Sequence, residues 1–370
     1  MTTALNKPLT FEKSSDMRSS GVEILRIIAM VLIVWRHSIQ TAMNIIDMSS
    51  MSFINVLLLS TADVGEVGNA LFVICSAYFL ADSKGARSEK AIKILLDSMS
   101  ISIFIFLCMT IAGYRFSDWE IVWQFLPDIK KNVWFVPDYV MFYLLHPIIN
   151  YLLNKTDKKQ HVALIVATIC IDVFLKLLSY STPLVEFIVI FVIVSYLKKH
   201  QPEFCNDKKT NLIIFFVSLS VYIAWMVTIV ILKMPDWMML WFLYAPTTLP
   251  WTICLFNLFR MLKIKSKTIN YISSCTLFVY CIHENILLRT FIRPKYYDFV
   301  LGISYDLYPL WVLLCFVGMF VGGFLLAIAY KETWSRLTQF VAAKCKQIIE
   351  KIYDSMATRR TKRPCQQKTS

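Results

Sequence analysis

The sequence predicts an all-α, polytopic membrane protein with about ten transmembrane helices and both termini in the cytoplasm. Hydrophobic residues make up 57% of the 370 residues, and the mean hydropathy is +0.57, whereas a soluble domain averages about 45–50% apolar residues. Charged residues are scarce, at 17%, and they cluster between apolar runs of membrane-spanning length. Lys and Arg are more frequent in every second connection between these runs, which predicts how the helices are oriented in the membrane.

Apolar segments of spanning or near-spanning length recur along the chain and predict the ten helices. The sixth segment is short, and Pro246 and Pro250 in the eighth predict a kink or a break there. In order, the segments lie at about 21–43, 53–81, 92–112, 133–153, 161–179, 183–197, 211–232, 238–259, 271–290 and 307–330.

The distribution of Lys and Arg predicts the side on which each end lies. Residues 1–20 carry three of these cations, and the tail from residue 331 carries ten. Each even-numbered connection carries three or four, whereas the odd-numbered connections carry between none and three. By the positive-inside rule both ends are cytoplasmic, and the net charge of +13 requires no nucleic acid partner.

One membrane domain is predicted over 21–330, between a cytoplasmic N-terminal segment, 1–20, and a basic cytoplasmic tail, 331–370. In the tail, apolar residues from Trp334 to Ile352 recur at near-helical spacing among lysines. We therefore expect an amphipathic helix that lies on the lipids of the inner leaflet.

The first apolar segment carries an arginine and a histidine on one face. Arg26 and His37 are eleven residues apart, which is three turns plus about 20° and about 16 Å along the helix axis. Ionisable groups are costly in lipid and are usually kept for a task, so this face predicts a polar pathway inside a bundle. Taken singly, Arg26 could instead snorkel to the inner headgroups, and His37 could be an interfacial histidine.

Other apolar segments also contain ionisable residues. His283 and Glu284 fall near mid-membrane in the ninth segment. Because adjacent helix residues point about 100° apart, we expect at most one of the two to face any given cavity squarely. The alternative for His283 is a hydrogen bond between helices. Asp138 and Glu186 lie toward the outer side of the fourth and sixth segments.

A basic cluster follows the second segment. Arg87, Lys90 and Lys93 are spaced so that they lie on one side of a helix start. Such a cluster suits the binding of phosphates, although ordinary positive-inside charge explains it as well.

Four motifs occur in a fixed order along the chain. They are the spacing from Arg26 to His37 within 23–37, Leu-Phe followed by Ser-Ala-Tyr within 68–79, Trp-Phe through Tyr-Leu-Leu-His-Pro within 132–147, and the Tyr-x-x-His end of 273–283. Together they resemble the acyltransferase 3 family of integral membrane enzymes, which O-acylate cell-surface carbohydrates. Ala77 stands where that family usually has glycine, and Glu284 stands where proline often follows the histidine.

The resemblance implies a multi-pass protein of the bacterial plasma (inner) membrane. It implies transfer of an acyl group, acetyl by default with succinyl as the runner-up, from cytoplasmic acyl-CoA to a hydroxyl of a carbohydrate that is often lipid-linked. Acyl-CoA is then a co-substrate and not a resident cofactor. Arg26 and His37 form the expected catalytic pair, and the CoA phosphates would meet Arg26 together with Arg87, Lys90 and Lys93.

Acyl transfer to a sugar hydroxyl needs a base, because the hydroxyl is a poor nucleophile at neutral pH. His37 suits this role, and a covalent acyl-histidine is an alternative. A carboxylate would orient its imidazole, and three residues remain open for that position, namely Glu186, Asp138 and Glu66.

The developing oxyanion needs a hydrogen-bond donor. The candidates are Arg36, Ser76 and Tyr280, and further substrate contacts are expected from Asp138, Glu186, His283 and Glu284. The sequence shows no metal cluster with ligand spacing, so we expect no metal.

The main alternative function is a transporter or flippase of lipid-linked sugars, which would also show ten spans and buried charges. It would not require a CoA phosphate site or a base at His37. A membrane sugar polymerase ranks third because it favours large outer loops, and the longest predicted outer loop here is 113–132.

Overall fold

Helices form the regular structure in the computed structural model, which describes residues 20–43, 52–126, 133–180, 182–233 and 248–361. The described ranges also contain a π turn at Leu288–Ile292 and short 3-10 turns at Glu203–Asn206 and Tyr305–Leu307. The α-helices are α1 (Ser20–Met43), α2 (Phe53–Ser60), α3 (Val64–Leu80), α4 (Ser88–Ile111), α5 (Asp118–Phe125), α6 (Phe135–Asn154), α7 (Lys158–Leu177), α8 (Pro183–His200), α9 (Lys208–Ile231), α10 (Thr248–Arg260), α11 (Lys267–Ser273), α12 (Thr276–His283), α13 (Arg293–Ile303), α14 (Tyr308–Glu332) and α15 (Ser335–Thr361).

Five helical stretches in the described ranges are long and apolar enough to cross a membrane, so the all-α membrane class is confirmed. They are Phe53–Leu80, Ser88–Ile111, Lys158–Leu177, Lys208–Ile231 and Tyr305–Glu332. The number is six if Lys267–His283 and Leu288–Ile303, which meet at a 61° bend, count as one span. Ten spans and the cytoplasmic placement of both ends stay predictions.

Two of the remaining predicted spans differ from these five in charge or in length. α1 has 24 residues, but it carries Glu23, Arg26 and Arg36, which lower its hydropathy. α8 has only 18 residues and ends in Lys198, Lys199 and His200. Of the eighth predicted segment, the part before residue 248 lies outside the described residues.

The ninth predicted segment, 271–290, is not one continuous helix. α12 ends at His283, and the chain bends before the turn at Leu288–Ile292. Asn285 stabilises the break because its Oδ1 accepts a hydrogen bond from the backbone N–H of Leu287 at 3.0 Å, which is the local bond that Asn forms in turns. The prediction of one continuous helix over 271–290 is therefore wrong, because His283 and Glu284 lie at a helix end.

The first helix lies at the centre of the bundle. It contacts α3 most extensively and also touches α10, α11, α12, α13 and α14. Two glycines of α3 allow this approach, because a Cβ at Gly68 would lie 2.6 Å from the carbonyl oxygen of Ala29, and a Cβ at Gly65 would lie 2.6 Å from the Cβ of Arg36. The close approach of α1 and α3 fixes the position of His37 relative to the residues of α3.

We expect Gly68→Ala to destabilise the protein by about 1–3 kcal/mol, because backbone must move to admit the methyl group. Gly318→Ala in α14 is the matched control, since nothing lies within 4 Å of the added Cβ there. The thermal unfolding midpoint in detergent checks both variants. Equal midpoints for the two variants would contradict the close contact of α1 and α3.

The amphipathic helix expected in the tail corresponds to α15, which is joined to the bundle by a buried polar cluster. Lys93 Nζ lies 2.6 Å from Asp97 Oδ2 and 2.8 Å from Ser335 Oγ. Asp97 Oδ1 accepts hydrogen bonds from the hydroxyls of Tyr330, at 2.8 Å, and Thr338, at 2.5 Å. Lys93 therefore has a structural role between α4 and α15.

Candidate active site

The candidate site is centred on the imidazole of His37, in the C-terminal half of α1. Its Nδ1 lies 3.0 Å from Nε2 of His283 and 3.2 Å from Oε1 of Glu284. His283 is the last residue of α12 and Glu284 follows it directly, so the end of this helix supplies both partners. Of the two, only Glu284 lines the cavity beside His37, which agrees with the expectation that at most one of them faces any given cavity squarely.

The hydrogen-bond partners assign the ring protons. Nδ1 of His283 lies 2.8 Å from the carbonyl oxygen of Val279, which only accepts, so Nδ1 carries the proton and Nε2 carries the lone pair. The two atoms that face Nδ1 of His37 are then both acceptors, and Nδ1 of His37 must donate. In the neutral imidazole this leaves the lone pair on Nε2 of His37, and no described residue contributes a hydrogen bond to that atom.

Glu284 is held by two arginines. Its Oε1 lies 3.1 Å from Nη2 of Arg293, and its Oε2 lies 3.3 Å from Nη1 of Arg289. Arg293 also donates to the backbone carbonyl of His283. Glu284 is 1% exposed and Arg293 is 5% exposed, so the carboxylate is kept ionised and oriented by one buried arginine and by the partly exposed Arg289.

A cavity of about 540 Å³ opens beside His37. This volume lies within the about 300–1,000 Å³ typical of small-molecule sites. Its walls come from α1, α3 and the segment after α12, and its polar lining side chains are Arg36, His37, Gln40, Thr41, Glu66, Asn69, Trp134, Glu284, Arg289 and Arg293.

A second ion pair, between Arg36 and Glu66, lines the same cavity. Arg36 pairs with Glu66, and its Nη1 lies 3.5 Å from Oδ1 of Asp63. Asn69 donates to Oε2 of Glu66 at 3.0 Å, while its own Oδ1 is buried and accepts no hydrogen bond from the described residues. A buried acceptor of this kind is costly unless a ligand or a water molecule satisfies it.

The structure brings together some of the residues that the sequence selected. His37, Glu284 and Arg36 line the cavity, and His283 contacts His37 without lining it. Tyr280 is not among the lining residues; its hydroxyl oxygen accepts a hydrogen bond from the backbone N–H of Phe135 at 3.2 Å. The carboxylate that contacts His37 is Glu284; Glu66 pairs with Arg36, and Glu186 pairs with Lys176 at 3.3 Å.

Other predicted residues lie away from the cavity. Arg26 pairs with Glu23 at 3.3 Å, near the N-terminal end of α1. Ser76 accepts a hydrogen bond from the hydroxyl of Tyr139 at 3.4 Å, and Asp138 is half-buried on α6.

The basic cluster Arg87, Lys90 and Lys93 also lies apart from His37. Arg87 donates its backbone N–H to the hydroxyl of Tyr143 at 2.9 Å, and Lys90 lies over the ring of Tyr143 at 4.8 Å from its centroid. Since Lys93 is bound to Asp97, the three cations do not form one open group. Their role with CoA stays a prediction.

Sequence reasoning missed Arg289, Arg293 and Asn69. The two arginines follow Glu284 by five and nine residues, in a stretch predicted to be a membrane segment and its outer connection. A cation in an outer connection that is otherwise poor in Lys and Arg is the signal that could have indicated them.

His37 and the two groups that face its Nδ1 could also hold a metal ion. One ligand atom from each of His37, His283 and Glu284 lies within 4.8 Å of the others. However, Glu284 already neutralises two guanidinium groups, so a cation there would meet their repulsion. Metal coordination at Nδ1 would also replace the hydrogen bond from His37 to Glu284.

The fold and this site define a helical membrane protein that holds a histidine–carboxylate pair beside a ligand-sized cavity. A family model described as an acyltransferase domain matches residues 19–330. Comparison with curated proteins and with solved structures gave no match. The match covers most of the chain, so the chain belongs to the acyltransferase 3 family and is a membrane O-acyltransferase.

Proposed function

We propose that the protein moves an acyl group from cytoplasmic acyl-CoA to a carbohydrate hydroxyl and that His37 is the general base. The observation that carries this proposal is the arrangement around His37. Its Nδ1–H is bound by the Glu284 carboxylate and by His283, which leaves the Nε2 lone pair available beside a cavity of about 540 Å³.

In the proposed reaction the acceptor hydroxyl lies in the cavity and gives its proton to Nε2 of His37 as its oxygen attacks the thioester carbonyl. The C–O bond forms, the C–S bond breaks, and the proton passes from His37 to the departing thiolate. Glu284 stabilises the imidazolium that exists between the two transfers. Arg289 and Arg293 keep Glu284 in place and ionised.

The cavity contains groups that suit a carbohydrate. Trp134 offers an aromatic face, and Glu66 and Asn69 offer hydrogen-bond acceptors to hydroxyl groups. Under the predicted orientation this cavity is on the outer side, where a cell-surface or lipid-linked sugar would arrive. The cytoplasmic donor would then approach from the N-terminal end of α1, where Arg26 lies.

Reconstituted protein distinguishes this function from sugar transport. Proteoliposomes would receive radiolabelled acetyl-CoA together with glycolipid extracted from membranes of the native host. We expect label to enter the glycolipid as a base-labile ester. Labelled CoA thioester that persists unchanged while the glycolipid crosses the bilayer would instead favour the flippase.

A further inference from the structure

A small pocket lies one helical turn from His37, toward the N-terminal end of α1. It is bounded by Ile33 of α1 and Asn69 of α3, which also line the large cavity. Because Ile33 precedes His37 by four residues, the two side chains lie on the same face of the helix. The pocket therefore adjoins the space in which the acyl carbonyl must react.

The walls of this pocket are apolar and aromatic. Phe72, Phe135, Leu277 and Tyr280 form much of its lining, and none of the residues that line it is charged. About 10 Å³ is open to the centre of a water-sized sphere, whereas a cavity needs roughly 10–15 Å³ by the same measure to hold one water molecule. The space therefore has room for one small group at most.

The aromatic walls hold one another in place. The rings of Phe72 and Phe135 meet edge to face with centroids 6.1 Å apart, and Phe135 and Tyr280 lie 5.5 Å apart. The hydrogen bond from the backbone N–H of Phe135 to the hydroxyl oxygen of Tyr280 also holds these two residues together. Close-packed side chains of this kind do not yield cheaply to a larger group.

We infer that this pocket takes the hydrocarbon end of the acyl group and selects acetyl over longer or charged acyl groups. The inference rests on the proposed function. When the acceptor oxygen attacks and the C–S bond breaks, the methyl of an acetyl group occupies the pocket while the carbonyl carbon stays beside His37. A succinyl group would place a carboxylate among uncharged walls with no cation to pair it, which is strongly unfavourable.

Donor selectivity tests this assignment. The probes are acetyl-, propionyl-, butyryl- and succinyl-CoA, and the readout is the rate of ester formation with each at matched protein concentration. We expect the wild type to prefer acetyl over propionyl by roughly 10-fold or more, the usual discrimination for one methylene. Leu277→Ala should raise the propionyl-to-acetyl and butyryl-to-acetyl ratios by roughly 10-fold.

Leu71→Ala is the matched control, because Leu71 is a fully buried leucine next to Phe72 that does not line the pocket. It should leave the donor ratios unchanged. Leu277→Phe, which fills the pocket, should depress acetyl transfer itself, and Leu277→Val replaces Leu277→Ala if the latter does not fold.

Two results would overturn the assignment while leaving the proposed function intact. One is a folded Leu277→Ala or Leu277→Val whose donor ratios equal those of the wild type. The other is a variant whose rate of ester formation changes by the same factor with every donor. That result would indicate that the pocket is a passage for the CoA arm. Wild-type protein that transfers none of the four acyl groups would instead refute the proposed function, and this inference with it.

Discussion

Replacing His37 with glutamine is expected to lower the rate of O-ester formation by roughly 10²–10⁴-fold, the usual contribution of general base catalysis. Glutamine preserves a polar side chain of similar reach, but its amide cannot take a proton from the acceptor hydroxyl. The measurement is the transfer of labelled acetyl from acetyl-CoA to base-labile ester in membranes of matched protein content.

His200→Gln is the control for this variant. His200 is the last residue of α8 and does not line the cavity, so its replacement should leave the rate within a few-fold of wild type. A His37→Gln protein that is folded and transfers acetyl at close to the wild-type rate would contradict the assignment of the base. It would also favour the transport function, which needs only charge and shape at this position.

Replacing Glu284 with glutamine is expected to lower ester formation by a comparable factor, roughly 10²–10⁴-fold. The substitution keeps the size of the side chain but removes the negative charge that would stabilise the imidazolium of His37. It also leaves Arg289 and Arg293 without their carboxylate. The measurement is again acetyl transfer at matched expression, with the KM for acetyl-CoA determined separately.

Loss of a buried ion pair also destabilises a protein, by about 3–5 kcal/mol, so folding must be measured beside activity. Glu66→Gln is the matched control, because Glu66 is a cavity carboxylate that pairs with an arginine, Arg36, but not with His37. We expect a smaller loss of kcat in Glu66→Gln than in Glu284→Gln. The opposite order, with both proteins folded, would assign the orienting role to Glu66.

The polar face of α1 could be predicted from the sequence because helical periodicity is a local property. The spacing of Arg26 and His37 follows from 3.6 residues per turn, and the structure extends α1 without a break over Ser20–Met43. The two residues have different surroundings in the structure, since Arg26 pairs with Glu23 and His37 lies beside the cavity.

The partner of His37 could not be chosen from the sequence because it depends on how α1 packs against the end of α12. Over 271–290 the apolar pattern favours one continuous span, and in such a span His283 and Glu284 would diverge by about 100°. Both side chains nevertheless contact Nδ1 of His37, from the end of α12 that precedes the turn at Asn285. This turn is stabilised in part by a distant element, since Asn285 also donates to Gln124 of α5 at 3.1 Å.

The basic cluster is a second example. Its charges could be predicted from the sequence, but the residues that they contact could not. Arg87, Lys90 and Lys93 were expected to lie together at a helix start, and α4 does begin at Ser88. The buried Asp97 four residues after Lys93 binds its ammonium group at 2.6 Å. Only the packing of α15 against α4 shows that this pair is part of a polar cluster between helices.

The central claim is that His37 and Glu284 act as one unit, and a double-mutant cycle tests it most directly. Acetyl transfer would be measured for wild type, His37→Gln, Glu284→Gln and the double variant, each shown to be folded. Residues that act through one another lose activity non-additively, so we predict that the double variant is no slower than His37→Gln alone. Losses that multiply, so that the double variant is slower by the product of the two single effects, would contradict the claim.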